Sequence, residues 1–157
     1  MWLFRRTILG LVLGLAACGF TPVYGPDGAG RTLQNQVVFA APDERNAQLL
    51  MQQLEARLGR AQNASYSLEV ALDLTQEGLA IDADGNTTRY NMLGVAAYTL
   101  TGAADGAVMA SGTVRNFTGY SATGTTVATL ASERDAEKRL MNILADMIAE
   151  RLVGAVQ

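Results

Sequence analysis

The chain has 157 residues, with 12 basic and 15 acidic side chains, no histidine and a single cysteine, Cys18. Without histidine it lacks the usual neutral-pH general base, the commonest metal ligand and every Ser-His or Cys-His nucleophile pair. Carboxylate or lysine chemistry stays open in principle, with Lys138 the only lysine, but no convincing acid/base pair stands out, and no catalytic set, cofactor or metal site is expected. The acidic balance argues against general nucleic-acid binding, which needs basic surface.

The N-terminus has the parts of a secretory signal in their usual order. Arg5 and Arg6 supply the positive start, residues 8–15 are apolar apart from Gly10 and Gly14, and small residues lead into Leu15-Ala16-Ala17-Cys18. The apolar stretch is too short to cross a bilayer as a helix, which takes roughly 20 apolar residues. Leu-Ala-Ala-Cys resembles the bacterial lipobox, and that resemblance implies cleavage before Cys18 and acyl chains on its sulfur. Two or more such chains hold a protein stably on a membrane. The plain alternative is an ordinary signal peptide followed by a chance cysteine, which would leave a lone exposed thiol in an oxidising compartment. The expected division is therefore a signal peptide over 1–17, a lipidated cysteine and tether over 18–30, and one α/β domain over 31–157. Losing Arg5 and Arg6 leaves the mature chain with ten basic against fifteen acidic side chains, a net charge of −5.

The tether holds Pro22 and Pro26 with Gly19, Gly25, Gly28 and Gly30. A first strand is expected over 33–39, ending in Val37-Val38-Phe39. Pro42-Asp43 then stops the strand and offers a helix N-cap. Over 44–58 the apolar positions Ala47, Leu50, Met51, Leu54 and Leu58 have helical spacing, with Gly59 placed as the C-cap. The clearest signal spans 66–75, where Tyr66, Leu68, Val70, Leu72 and Leu74 alternate with polar or small residues, as in a strand with one buried face. Asp84-Gly85 and Asp105-Gly106 mark turns on either side of a third strand, 88–101, and a fourth runs over 107–117. Residues 119–126 read as a polar loop. Residues 128–153 read as a helix whose stripe is Leu140, Ile143, Leu144, Met147, Ile148 and Leu152. The order β-α-β-β-β-α predicts a two-layer α/β sandwich: a four-stranded mixed sheet with two helices on one face.

Alternation also assigns faces. Tyr90, Met92, Ala96, Tyr98, Leu100, Val108, Ala110 and Val114 are expected to face the helices. Leu93, Val95, Met109 and Phe117 then face away, beside Arg89 and Arg115. An apolar patch with two arginines suits an apolar partner surface that carries anionic groups, and we take Arg89 and Arg115 as candidate phosphate ligands. The plain alternative is an outer sheet face with solvated arginines. A one-residue register slip would exchange the faces. Met51, Met92, Met109, Met141 and Met147 read as packing, the charged run 133–139 as a solvated helix face with Asp135 and Arg139 suitably spaced, and Asp82 and Asp84 as turn formers.

Directly after the lipobox the chain reads Cys18-Gly19-Phe20-Thr21-Pro22-Val23-Tyr24-Gly25. This resembles the opening of the LPS-assembly outer-membrane lipoprotein family, LptE, which often begins Cys-Gly-Phe-x-Pro-Leu-Tyr-Gly; Val23 is the one departure. The predicted element order is similar to that family's along the mature chain. The resemblance implies a non-enzymatic protein, lipid-anchored in the outer membrane and facing the periplasm and a barrel lumen. There it would act as plug and assembly partner of the LPS-translocon β-barrel and bind LPS. Gly19 is compatible with outer-membrane delivery. Phe20, Pro22 and Tyr24 are either a stiff spacer or a docking segment. The competing reading is an accessory lipoprotein of a lipid-transport ABC system.

Overall fold

A computed structural model of the chain describes residues 30–40 and 44–156. Cys18, the signal segment, the aromatic tether residues and Asp43 lie outside the described residues. The elements in order are α1 (Gly30–Leu33), β1 (Val37–Phe39), α2 (Arg45–Leu58), β2 (Tyr66–Ile81), β3 (Thr87–Gly102), β4 (Val108–Ser121) and α3 (Thr126–Ala155). The strands form one sheet in the order β1-β2-β3-β4. β1 pairs parallel to β2, and β2 to β4 form an antiparallel meander. The expected two-layer arrangement is present, with a short helix added in front.

Several boundaries differ from expectation for physical reasons. The first strand does not start at residue 33. Leu33 closes α1 and is fully buried, and only Val37–Phe39 pair with β2. α2 begins one residue later than expected, with Glu44 and not Asp43 at the N-cap, and the Glu44 side chain makes no capping bond. Gly59 does cap its C-terminus, at φ 76, where a Cβ would strike the Asn35 side chain. β2 runs on to Ile81 and β4 to Ser121, so part of the expected polar loop is strand. Asp82 shapes the β2–β3 turn by accepting from the backbone N–H of Asp84 (3.0 Å) and Asn86 (2.8 Å). The Asn86 bond is the first cause that holds its carboxyl below the usual range. Thr125 caps α3 by accepting from the Ala128 N–H at 3.3 Å.

The even-numbered side chains of β3 and β4 meet the helices. Met92, Ala96, Tyr98, Leu100 and Val114 are buried against Leu140, Met141, Leu144 and Ile148 of α3. Val108 is the exception: it was expected inside but is 61% exposed. A bulge between Leu100 and Thr101 shifts the register there and turns the start of β4 away from the core. At Gly94 the sheet and α3 approach so closely that a Cβ would lie 2.9 Å from Leu144 Cδ1 and 3.1 Å from Leu140 Cδ2.

Two ion pairs join α2 to α3. Arg45 bonds Glu137 at 2.9 Å, and Arg57 bonds Asp146 at 2.5 Å while also reaching Asn142 Oδ1 at 2.7 Å. The charged run 133–139 is therefore not uniformly solvated. Ala136 within it is fully buried, and Glu137 is largely covered by its partner helix.

Candidate functional site: the outer sheet face

The odd-numbered side chains of the meander project away from the helices, as the alternation predicts. Register sets them in rows across β2, β3 and β4: Asp73-Val95-Arg115, then Thr75-Leu93-Phe117, then Glu77-Asn91-Gly119. Phe117 is 59% exposed and Met109 47%, while Leu93 and Val95 are half-buried between their neighbours. Phe117 with Leu93 beside it makes a small apolar patch of the kind that can meet a partner or a lipid, while Met109 lies eight residues away on β4, beyond Arg115.

Arg115 sits at one end of this patch and Arg89, opposite Ser121, at the other. Both are exposed, and neither has an ion pair or side-chain hydrogen bond with any described residue. Six residues separate their rows on β3, which at about 3.3 Å per residue is about 20 Å. The row of Leu93 and Phe117 lies between them. The Arg89 guanidinium leans over Gly119, its Nη2 4.0 Å from where a Cβ there would stand. Alternation alone puts both arginines on the outer face, and the register adds how far apart their rows stand.

Other features were missed because they fall beyond the expected strand ends. Tyr120 continues the inner face of β4, stacks on Tyr90 with centroids 5.3 Å apart, and takes a hydrogen bond from the Gln76 amide. Burial is the first cause that raises its hydroxyl above the ordinary tyrosine value, with the nearby charges of Glu133 and Glu137 contributing. Thr118 is buried and donates to the Ala136 carbonyl at 3.0 Å. An open hollow of about 500 Å³ lies between the end of β4 and the first turns of α3. Asp135 and Arg139 in its lining neutralise one another at 2.9 Å. No group of three or more metal-ligating side chains occurs among the described residues, and no described helix is long and apolar enough to cross a membrane.

Comparison with known proteins follows this geometry. The sequence profile of the lipopolysaccharide-assembly family LptE matches residues 31–152, so the matched segment takes in every strand, all of α2 and α3 up to its last three residues. The chain belongs to the LptE family of lipopolysaccharide-assembly lipoproteins. Its fold is similar to that of a candidate lipoprotein from Caulobacter crescentus CB15, with 20% identity, a TM-score of 0.69, and coverage of 81% of this chain and 94% of that one. The rare lipoprotein B of Shewanella oneidensis is similar at 14% identity and a TM-score of 0.57, over 76% of this chain and 92% of that one. A minor lipoprotein of Acinetobacter baumannii gives 15% identity and 0.55, over 76% and 89%. At these identities the likeness concerns the fold. A search of curated proteins finds no match.

Proposed function

We propose that this protein is a plug and assembly partner of the LPS-translocon β-barrel, held in the outer membrane by acyl chains on Cys18 and facing the periplasm and barrel lumen. In this role it binds LPS and aids its insertion into the outer leaflet, and it performs no chemistry of its own. The observation that carries the reading is the family match over residues 31–152. The outer sheet face supports it: exposed Phe117 and half-buried Leu93, bracketed by Arg89 and Arg115, offer a small apolar surface for acyl chains or a barrel wall, and two cations for lipid phosphates.

Affinity purification in mild detergent tests the partner. A large outer-membrane barrel recovered in stoichiometric amount is the expected result, whereas inner-membrane permease subunits would overturn the plug and support an accessory role in lipid transport. Mass spectrometry of the same sample should show a chain that starts at Cys18 and carries acyl chains. For the arginines, Arg89→Ala with Arg115→Ala should weaken LPS binding by the purified protein with no loss of stability, since neither side chain is paired with a described residue. Unchanged LPS binding would remove both residues from the site.

A further inference from the structure

The sheet has two edges, and the chain treats them differently. On β4 the even residues bond to β3, so the odd residues turn their N–H and C=O groups outward. Three of these groups are already taken up. Arg151 Nη1 donates to the Thr113 carbonyl at 2.7 Å, Arg139 Nη2 donates to the Gly119 carbonyl at 3.2 Å, and Asn116 Oδ1 accepts from the Phe117 N–H at 2.8 Å. Three side chains, two of them from α3, thus occupy points along this edge.

On β2 the even residues face outward. The Tyr66 N–H donates to the Gln36 carbonyl at 3.1 Å, and the Leu68 carbonyl accepts from the Ala40 N–H at 3.2 Å. β1 uses the edge only as far as Leu68. From Val70 to Gln76 the outward backbone groups have no partner among the described residues. Such a row of unpaired groups is a ready template for another strand.

Two features define which strand fits. Val70, Leu72 and Leu74 point toward the helix layer and are only half-buried, so a strand continuing the line of β1 has an apolar strip to cover with every second side chain. On the outer face the same segment carries Glu69, Asp73 and Glu77, and none of them has an ion pair or side-chain hydrogen bond with a described residue. A second copy of this chain paired antiparallel about Asp73 would set Asp73 against Asp73 and Glu69 against Glu77. Like charges directly opposite are destabilising, so the acids select against self-pairing and for a basic neighbour.

We propose that the edge of β2 from Val70 to Gln76 is a strand-addition site for an extended segment of another protein in which apolar and basic side chains alternate. The site does not include Arg89 or Arg115 and does not rest on the LPS reading. It is tested by amide exchange on the full chain in mild detergent, alone and with short synthetic peptides of alternating Val and Lys or alternating Val and Glu. The amides of Leu72, Leu74 and Gln76 should exchange freely in the protein alone, slow by about tenfold or more with the lysine peptide, and stay unchanged with the glutamate peptide. Glu69→Lys, Asp73→Lys and Glu77→Lys together should reverse that preference and leave the melting temperature in place. Slow exchange of these amides in dilute protein alone would mean that the chain covers its own edge, and slowing that grows with protein concentration would mean a second copy does so. Either result overturns the proposal, as does equal slowing by both peptides or by neither.

Discussion

Gly94 sets the distance between the sheet and α3, and replacing it tests how the two layers are seated. An added Cβ stands 2.9 Å from Leu144 Cδ1, 3.1 Å from Leu140 Cδ2 and 3.3 Å from Leu140 Cγ, where carbon atoms prefer about 3.5–4.0 Å. Leu140 and Leu144 are both fully buried, so neither has free space to retreat into. Gly94→Ala gains roughly 0.5–1 kcal/mol from a stiffer unfolded chain and loses about 1–3 kcal/mol to overpacking, a net loss of about 1 kcal/mol. Gly94→Val adds two further methyl groups against the same helix and should lose about 3 kcal/mol. Urea unfolding reads the difference. With a slope of about 1–3 kcal/mol per molar, alanine should lower the midpoint by about half a molar and valine by more than 1 M. Trimming the obstacle should restore part of the loss, so Gly94→Ala with Leu144→Val should be more stable than the sum of the single changes. If Gly94→Val left the midpoint unchanged or raised it, strand preference would outweigh packing there, and the close seating of α3 on β3 would be wrong.

Arg57→Ala should destabilise by about 1–2 kcal/mol in the same assay, because it severs the bonds to Asp146 and Asn142 that link α2 to α3. The exposed Asp135–Arg139 pair lies within one helix, and Arg139→Ala should cost under about 0.5 kcal/mol through that pair. Tyr120 should ionise above the ordinary tyrosine value in an alkaline absorbance titration, and Tyr120→Phe should remove that late component. Its folded value is raised, so its contribution to stability is fully present below the unfolded value, about pH 10. That contribution is lost as pH rises from there through the folded value.

How much of this was legible in the sequence depended on whether a residue's neighbours lay near it in the chain. The stretch from Tyr66 to Leu74 announced itself because the helices cover one of its faces, which forces alternation. The continuation to Ile81 did not, because the helices leave Gln76, Glu77, Gly78 and Leu79 exposed, and selection for a buried face is absent there. Placing Arg89 and Arg115 on the outer face needed only parity. Their separation needed the register with β4, and the bulge that turns Val108 outward leaves no composition signal. The bond between Arg57 and Asp146 joins residues 89 apart, beyond the reach of any local pattern. Asp135 and Arg139, one helical turn apart, were found for the opposite reason.

The three-rung pairing of β1 with β2 has a mechanical consequence. A pull arriving from the N-terminal side is borne first by those rungs and by two core side chains, Leu33 and Val37. Each side chain is worth about 1.5–3 kcal/mol on burial. Residues 30–39 can therefore peel away and pay out about 35 Å of chain while the antiparallel meander and α3 stay assembled. The domain has a yielding link built in on its N-terminal side, and it can give ground under tension before the body of the sandwich feels the load.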